Sequence, residues 1–199
     1  MQIDGWDCGR LEPNARRLLG LSSIPEERLG HGAVPGMSLT GNGLLTAFVR
    51  KQLSSAGFIN WASCEKFATD VIERYDVKSS GVDAPAASLS GGNLQKYIVG
   101  REICQDPELL VVSQPTWGVD AGAARTIHDA LRTLAERGTA VLVISQDLDE
   151  LLRLSDRVAA ICAGSVSASY PVGKITVEQI GLLMAGASRL DDVETADVA

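Results

Sequence analysis

Two short apolar runs in the second half of the chain do not alternate with polar residues. Leu-Leu-Val-Val occupies positions 109–112 and Val-Leu-Val-Ile occupies positions 141–144. Strands that are buried on both faces have this composition, and they occur in parallel sheets covered by helices. Predicted strands and helices alternate through this region, so the sequence predicts an α/β fold with helices on both faces of a parallel sheet.

The predicted elements follow a regular order from position 89 onward. Helical periodicity predicts helices at 93–104, 121–137, 148–154 and 176–184, and strand composition predicts strands at 109–113, 140–145, 157–162 and 166–170. Upstream, a helix-like stretch at 13–21 precedes a polar turn at 24–28, and a glycine-rich stretch at 30–43 predicts a loop. Two further helices, at 44–53 and 61–75, predict a small helical subdomain.

Charge and composition exclude several classes of function. The net charge of -7 argues against nucleic-acid binding, which depends on Lys and Arg. Because no apolar run is long enough to cross a bilayer and the N-terminus does not resemble a signal peptide, we expect a soluble, cytoplasmic protein. The four cysteines are scattered, so we expect reduced thiols and no metal site made by this chain alone.

A short turn near the middle of the chain predicts contact with phosphate. Ser90, Gly91, Gly92 and Asn93 lie between two leucines at the start of a predicted helix. A helix N-terminus presents unpaired N–H groups and partial positive charge, and glycine lets the backbone approach an anion closely. The alternative is that Ser90 only caps the helix and that the glycines after it are merely flexible.

Two other features of nucleotide hydrolysis are missing from the 199 residues. No stretch reads Gly, four residues, Gly-Lys and then Ser or Thr, which is the loop that wraps a triphosphate. The strand after the turn ends in Ser113-Gln114, where an ATPase would have two carboxylates. These features predict a chain that contacts nucleotide without hydrolysing it.

The motifs, taken in order, resemble the C-terminal part of an ATP-binding-cassette nucleotide-binding domain. Residues 89–96 resemble the signature motif of that family, 109–114 its Walker B strand and 118–120 its D-loop. Gln146 stands where the switch histidine is expected, and Glu26 where the Q-loop glutamine is expected. The words Gln-Pro-Thr, Ser-Gln-Asp-Leu-Asp-Glu-Leu and Ile-Gly-Leu-Leu-Met are similar to the second, degenerate cassette of tandem ATPases in nucleoside and simple-sugar importers. The resemblance covers about 14–186.

This resemblance implies a partial P-loop NTPase fold with an inserted helical subdomain. It divides the chain into a remnant of the nucleotide-binding core at 1–32, the helical subdomain at 33–88, the signature helix and RecA-like core at 89–186, and an acidic flexible tail at 187–199. In such a cassette an aspartate holds Mg²⁺ and a glutamate activates water. Ser113, Gln114 and Gln146 cannot replace those groups, so no catalytic residue is expected.

The resemblance also implies where ATP and the partners bind. ATP with Mg²⁺ would be held mainly by a second cassette, and the permease would meet Glu26 and the helical subdomain on the cytoplasmic face of the membrane, without direct membrane insertion. The residues expected to act on the partner's ATP are Ser90, Gly91, Gly92, Asn93 and Gln95, with Gly118 and Asp120 in the D-loop. Lys96 and Arg101 are expected on a solvated helix face. Two alternatives remain open: a working ATPase with an upstream Walker loop, and an orphan fragment without function.

Overall fold

The computed structural model describes residues 2–3, 5–187 and 190 of the chain. The acidic tail predicted at 187–199 therefore lies almost entirely outside the described residues. The chain divides into two compact units, Met1–Gln146 and Asp147–Ala199. Among the described residues, no helix combines the length and the apolar character needed to cross a bilayer.

The first unit contains the predicted mixture of helices and strands. Its helices are α1 (Pro13–Leu18), α2 (Leu39–Ala47), α3 (Trp61–Arg74), α4 (Gly91–Ile103) and α5 (Ala121–Glu136). Its strands are β1 (Gln2–Ile3), β2 (Trp6–Asp7), β3 (Leu21–Ile24), β4 (Ser54–Ser55), β5 (Phe58–Ile59), β6 (Leu109–Ser113) and β7 (Ala140–Ile144). The strand pairs β1–β2 and β4–β5 are antiparallel, and neither these strands nor β3 were predicted; β3 begins at Leu21, the last residue of the predicted helix-like stretch.

The centre of this unit is a parallel sheet in the order β3, β6, β7. Leu21 pairs with Leu109, and Leu109 pairs in turn with Ala140, so the three strands begin at one level. Helix α4 packs on β3 and on α5, which brings the N-termini of α4 and α5 together near the carboxyl ends of the strands. The parallel sheet and its helices confirm the predicted α/β class.

The prediction that both apolar runs are buried on both faces holds in full for neither strand. Leu110 and Val112 of β6 are fully buried on one face of the sheet, whereas Leu109 and Val111 on the other face are half-buried. In β7, Leu142 is 53% exposed and Ile144 is 41% exposed. These two side chains lie on one face of β7, which the described residues leave uncovered, whereas Val141 and Val143 on the opposite face are half-buried. Among the described residues, no strand pairs with the outer edge of β7.

Helix α2 begins five residues before its predicted start, inside the stretch that composition assigned to a loop. Ser38 caps it by accepting a hydrogen bond from the N–H of Gly41 at 3.0 Å. A Cβ atom at Gly43 would lie 3.1 Å from the hydroxyl oxygen of Tyr97 and 3.3 Å from the Phe67 ring. Close packing on neighbouring helices, rather than a turn, therefore explains this glycine.

The second unit contains the helices and short strands predicted for the end of the chain. These are α6 (Leu148–Leu154), β8 (Arg157–Val158), β9 (Ile161–Cys162), β10 (Ser165–Val166), β11 (Tyr170–Pro171) and α7 (Val177–Met184). The strands predicted at 157–162 and 166–170 are each interrupted: β9 pairs with β10 across a turn at Ala163-Gly164, and β8 pairs with β11. Thr176 and Gln179 form a reciprocal capping box at the start of α7.

Candidate functional site

The signature turn, residues 90–93, forms the exposed N-terminus of α4. Ser90 has extended backbone angles and its Oγ accepts from the N–H of Asn93 at 3.4 Å, so it caps the helix as the simpler interpretation predicted. The N–H groups of Gly91 and Gly92 have no partner among the described residues. The turn therefore combines the cap with two free backbone donors, which is the arrangement that binds phosphate oxygens.

The side chain of Asn93 is used within the protein. Its Nδ2 donates to Ser90 Oγ at 2.9 Å, and its Oδ1 accepts from the backbone N–H of Lys78 at 2.9 Å. Both ends of the amide are engaged. Asn93 therefore stabilises the turn, and the donors without a partner among the described residues belong to the backbone.

The loop that joins β6 to α5, residues 114–120, lies directly against the signature turn. Asp120 caps α5 by accepting from the N–H of Ala123 at 2.9 Å, and this hydrogen bond lowers the pKa of the Asp120 carboxyl. The second carboxylate oxygen of Asp120 would lie 3.0 Å from a Cβ atom at Gly92. Gly118 has a φ of 62°, in the region that favours glycine, so the loop turns sharply just before Asp120.

Gln95 does not lie where a partner's nucleotide could reach it. Its side chain is 1% exposed, and its Nε2 donates to the carbonyl oxygen of Pro115 at 2.8 Å. This placement corrects the expectation of a nucleotide contact. Gln95 instead connects the body of α4 to the β6–α5 loop.

The carboxyl end of β6 brings together the positions where hydrolytic groups were expected. Gln114 is buried, its backbone N–H donates to Ile144 at 2.7 Å, and its Oε1 accepts from the N–H of Gln146 at 3.5 Å. Ser113, Gln114 and Gln146 thus meet at one end of the sheet, and none of these three side chains can carry a negative charge. In the described ranges, no three metal-ligating side chains gather anywhere.

Two polar residues expected on a solvated face of α4 are buried. Arg101 is 3% exposed and donates to the carbonyl oxygens of Asn42 at 3.2 Å and Gly32 at 2.9 Å. Lys96 is also buried, and its ammonium group donates to the carbonyl oxygen of Asp76. The prediction was wrong because α4 is surrounded by α2, α3, α5 and β3, which leaves it almost no solvated side.

The Arg28 side chain lies beside the signature turn, although the sequence analysis did not identify it as a candidate site residue. Its guanidinium donates to the carbonyl oxygen of Trp117, and a Cβ atom at Gly91 would lie 2.7 Å from its Nη1. Glu26, the residue expected to act in this segment, is exposed. The only available signal for Arg28 was a cation in a predicted polar turn, and that pattern is common on protein surfaces.

The curated relatives of the chain are import ATP-binding proteins. The chain is 40% identical over 188 residues to the nucleoside import ATP-binding protein NupA of Lactococcus lactis subsp. cremoris, and 37% identical over 187 residues to the guanosine import ATP-binding protein NupO of Bacillus subtilis. Each match covers 94% of this chain and 37% of the relative. No protein-family model matches the chain.

Solved structures with a similar fold are ATP-binding cassettes. The dimeric cassette MJ0796 bound to ADP and Pi has a TM-score of 0.70 and 18% identity, over 85% of this chain and 72% of that one. An ATP-binding subunit of an ABC transporter has a TM-score of 0.68 and 20% identity, over 99% of this chain and 75% of that one. By its sequence relatives and its fold, the chain belongs to the ATP-binding-cassette family.

Proposed function

We propose that this chain is a non-hydrolysing cassette segment of a nucleoside or simple-sugar importer, and that its signature turn acts on an ATP held by a second cassette. One observation carries the proposal. The N–H groups of Gly91 and Gly92, which have no partner among the described residues, lie at the start of α4, while the end of β6 presents Ser113 and Gln114 in place of carboxylates. The chain thus carries a turn suited to phosphate binding, but the end of β6 lacks the carboxylates that would bind Mg²⁺ and activate water.

The two parts of Mg²⁺-ATP fit this chain differently. The signature turn suits phosphate oxygens, because it has a helix N-terminus and two backbone donors without a partner among the described residues, with Ser90 beside them. The end of β6 does not suit Mg²⁺, which prefers anionic oxygen ligands, because its side chains are a hydroxyl and an amide. We therefore place the metal and the rest of the nucleotide on the partner cassette.

Fixed donors aimed at a terminal phosphate stabilise charge that develops during hydrolysis. The partner would supply the water-activating base, which Gln114 cannot replace because an amide does not accept a proton at neutral pH. In this arrangement Ser90, Gly91 and Gly92 act across the interface. Gly118 and Asp120 approach it through the D-loop.

The substrate class and the location of the protein rest on the relatives. The two relatives named above import nucleosides and guanosine according to their names, and a third, the ribose import ATP-binding protein RbsA of Chelativorans sp., is 34% identical to this chain over 193 residues. The chain spans 37% of each of the three. We propose that this chain works at the cytoplasmic face of the membrane beside permease subunits. Glu26 is exposed and free to meet such a subunit together with the helical subdomain.

The test is ATP hydrolysis by the complete transporter. The complex would be isolated through a tag on this chain and its ATPase rate compared with that of a Ser90→Arg variant. We expect a loss of about 100-fold, which is the typical effect of disrupting one preorganised oxyanion donor site. Ser80→Arg adds the same charge and bulk to an exposed loop position ten residues upstream, and it should leave the rate unchanged.

Two results would contradict the proposal. An unchanged rate in the Ser90→Arg complex would show that the turn does not serve the hydrolysed ATP. Steady hydrolysis by this chain alone, sensitive to Ser90→Arg, would show that it is an ATPase by itself.

A further inference from the structure

Arg28 connects two loops that are distant in the sequence. Its Nη2 donates to the carbonyl oxygen of Trp117 in the β6–α5 loop, and a Cβ atom at Gly118 would lie 3.3 Å from the same nitrogen. Its Nη1 lies against Gly91, the first residue of α4. One guanidinium thus contacts both the signature turn and the β6–α5 loop.

The backbone around Arg28 is held in place by its own hydrogen bonds. The N–H of Gly32 donates to Glu27 at 2.9 Å, and the N–H of Ala33 donates to the carbonyl of Arg28 at 2.6 Å. Arg101 then donates to the carbonyl of Gly32 at 2.9 Å from within α4. A Cβ atom at Gly32 would lie 2.9 Å from the Arg28 carbonyl oxygen, so this close turn requires glycine.

Arg28 has no carboxylate partner in the part of the chain that the structure describes. The adjacent α4 N-terminus is itself partly positive. An arginine at this end of a helix is unfavourable electrostatically. Contact with the Trp117 carbonyl explains its position better than attraction to the helix does.

We propose that Arg28 is a positioning residue that fixes the β6–α5 loop, and with it Asp120, against the signature turn. The functional consequence rests on the function proposed above, but the positioning itself can be measured without a partner. A planar guanidinium can donate to a carbonyl and pack on a second loop at once, whereas a lysine ammonium is a point charge on a flexible stem. Arg28→Lys should therefore preserve the position of the β6–α5 loop only in part.

Amide hydrogen exchange on the full chain tests the positioning. In Arg28→Ala, exchange of the amides of residues 116–119 should rise about tenfold, because the hydrogen bond to a charged donor is lost. Arg28→Lys should give a smaller rise, and amides in the middle of α5 should not change. Arg132→Ala, which removes an exposed arginine from α5, is the matched control and should leave residues 116–119 unaffected. Unchanged exchange of residues 116–119 in Arg28→Ala would overturn the proposal.

The complete transporter separates this role from the proposed function. Arg28→Ala should lower kcat for ATP about tenfold with little change in KM, because the backbone donors of the turn remain and only their alignment with Asp120 is lost. A raised KM with unchanged kcat would overturn the positioning role and indicate direct nucleotide binding. If Ser90→Arg abolishes activity while Arg28→Ala does not change it, the positioning role fails and the proposed function stands. If neither changes the rate, the proposed function fails.

Discussion

The Nη1 atom of Arg17 lies 3.0 Å from Oε2 of Glu102, whose side chain is completely buried in α4. Arg101 donates to the other carboxylate oxygen at 3.0 Å, and Gln105 donates to Oε2 at 3.1 Å. One carboxylate thus joins two guanidinium groups from α1 and α4. Because Arg101 also holds Gly32, this buried cluster fixes α4 relative to the segment that carries Arg28.

Removing the charge of Glu102 should destabilise the protein strongly. In Glu102→Gln the two arginines lose their shared anion, and we expect the free energy of unfolding to fall by about 3 kcal/mol, the usual cost of leaving a buried charge unpaired. Urea unfolding followed by circular dichroism measures this loss. Glu136→Gln, at an exposed position of α5, should change stability by less than about 0.5 kcal/mol. Equal stability of the two variants would mean that Glu102 is solvated.

The same glycine-to-alanine change should have opposite effects at two helical positions. A Cβ atom at Gly100 would lie 2.4 Å from the Tyr75 ring, so Gly100→Ala should lower stability by about 1–3 kcal/mol through overpacking. A Cβ atom at Gly181 of α7 would meet nothing within 4 Å, so Gly181→Ala should raise local stability by about 0.5–1 kcal/mol. Hydrogen exchange of α4 and α7 amides measures both effects, and a neutral Gly100→Ala would exclude the contact with Tyr75.

The capping carboxylate of Asp120 should make stability depend on pH in the acid range. Its pKa is below the ordinary value of 3.8, mainly because the Ala123 N–H donates to it. The folded state therefore holds its proton less tightly than the unfolded state, so the stabilisation is present above that value and is lost as the pH falls through the lowered pKa. Asn caps a helix about as well as Asp but does not titrate, so the stability difference between wild type and Asp120→Asn should shift in favour of the variant as the pH falls below about 4. Urea unfolding at pH 7 and pH 3 measures this shift, with Asp83→Asn as an exposed control; a difference independent of pH would contradict it.

The elements that were predicted correctly are those whose own residues determine their structure. The periodicity of α5 and α6 gave their bounds to within a residue, and the apolar run of β6 gave its bounds without error, because propensity and burial agree in these segments. The signature turn could likewise be recognised from four consecutive residues. Its geometry follows from the cap that Ser90 provides.

The partners of buried polar residues could not be predicted, because they lie far away in the sequence. Arg101 donates to Gly32, 69 residues upstream, and Arg28 donates to Trp117, 89 residues downstream. A single sequence shows only that such residues are charged, and most charged residues are solvated. The burial of Gln95 was missed for the same reason, since its partner Pro115 belongs to a loop that meets α4 only after folding.

The exposed edge of β7 predicts self-association of the isolated chain. Among the described residues, no strand pairs with the outer edge of β7, which has no Lys, Pro or bulge, and one face of this strand exposes Leu142 and Ile144. An apolar strand with an unprotected edge pairs readily with other chains. Leu142→Lys places a charge on this strand, so it should increase the monomeric fraction in size-exclusion chromatography with light scattering. Because Leu142 is half exposed, the free energy of unfolding should change by less than about 0.5 kcal/mol, whereas Val112→Lys on the central strand should prevent folding. A large loss of stability in Leu142→Lys would show that this side chain is covered in solution. The covering surface would then be a second chain, which the dependence of stability on protein concentration would reveal.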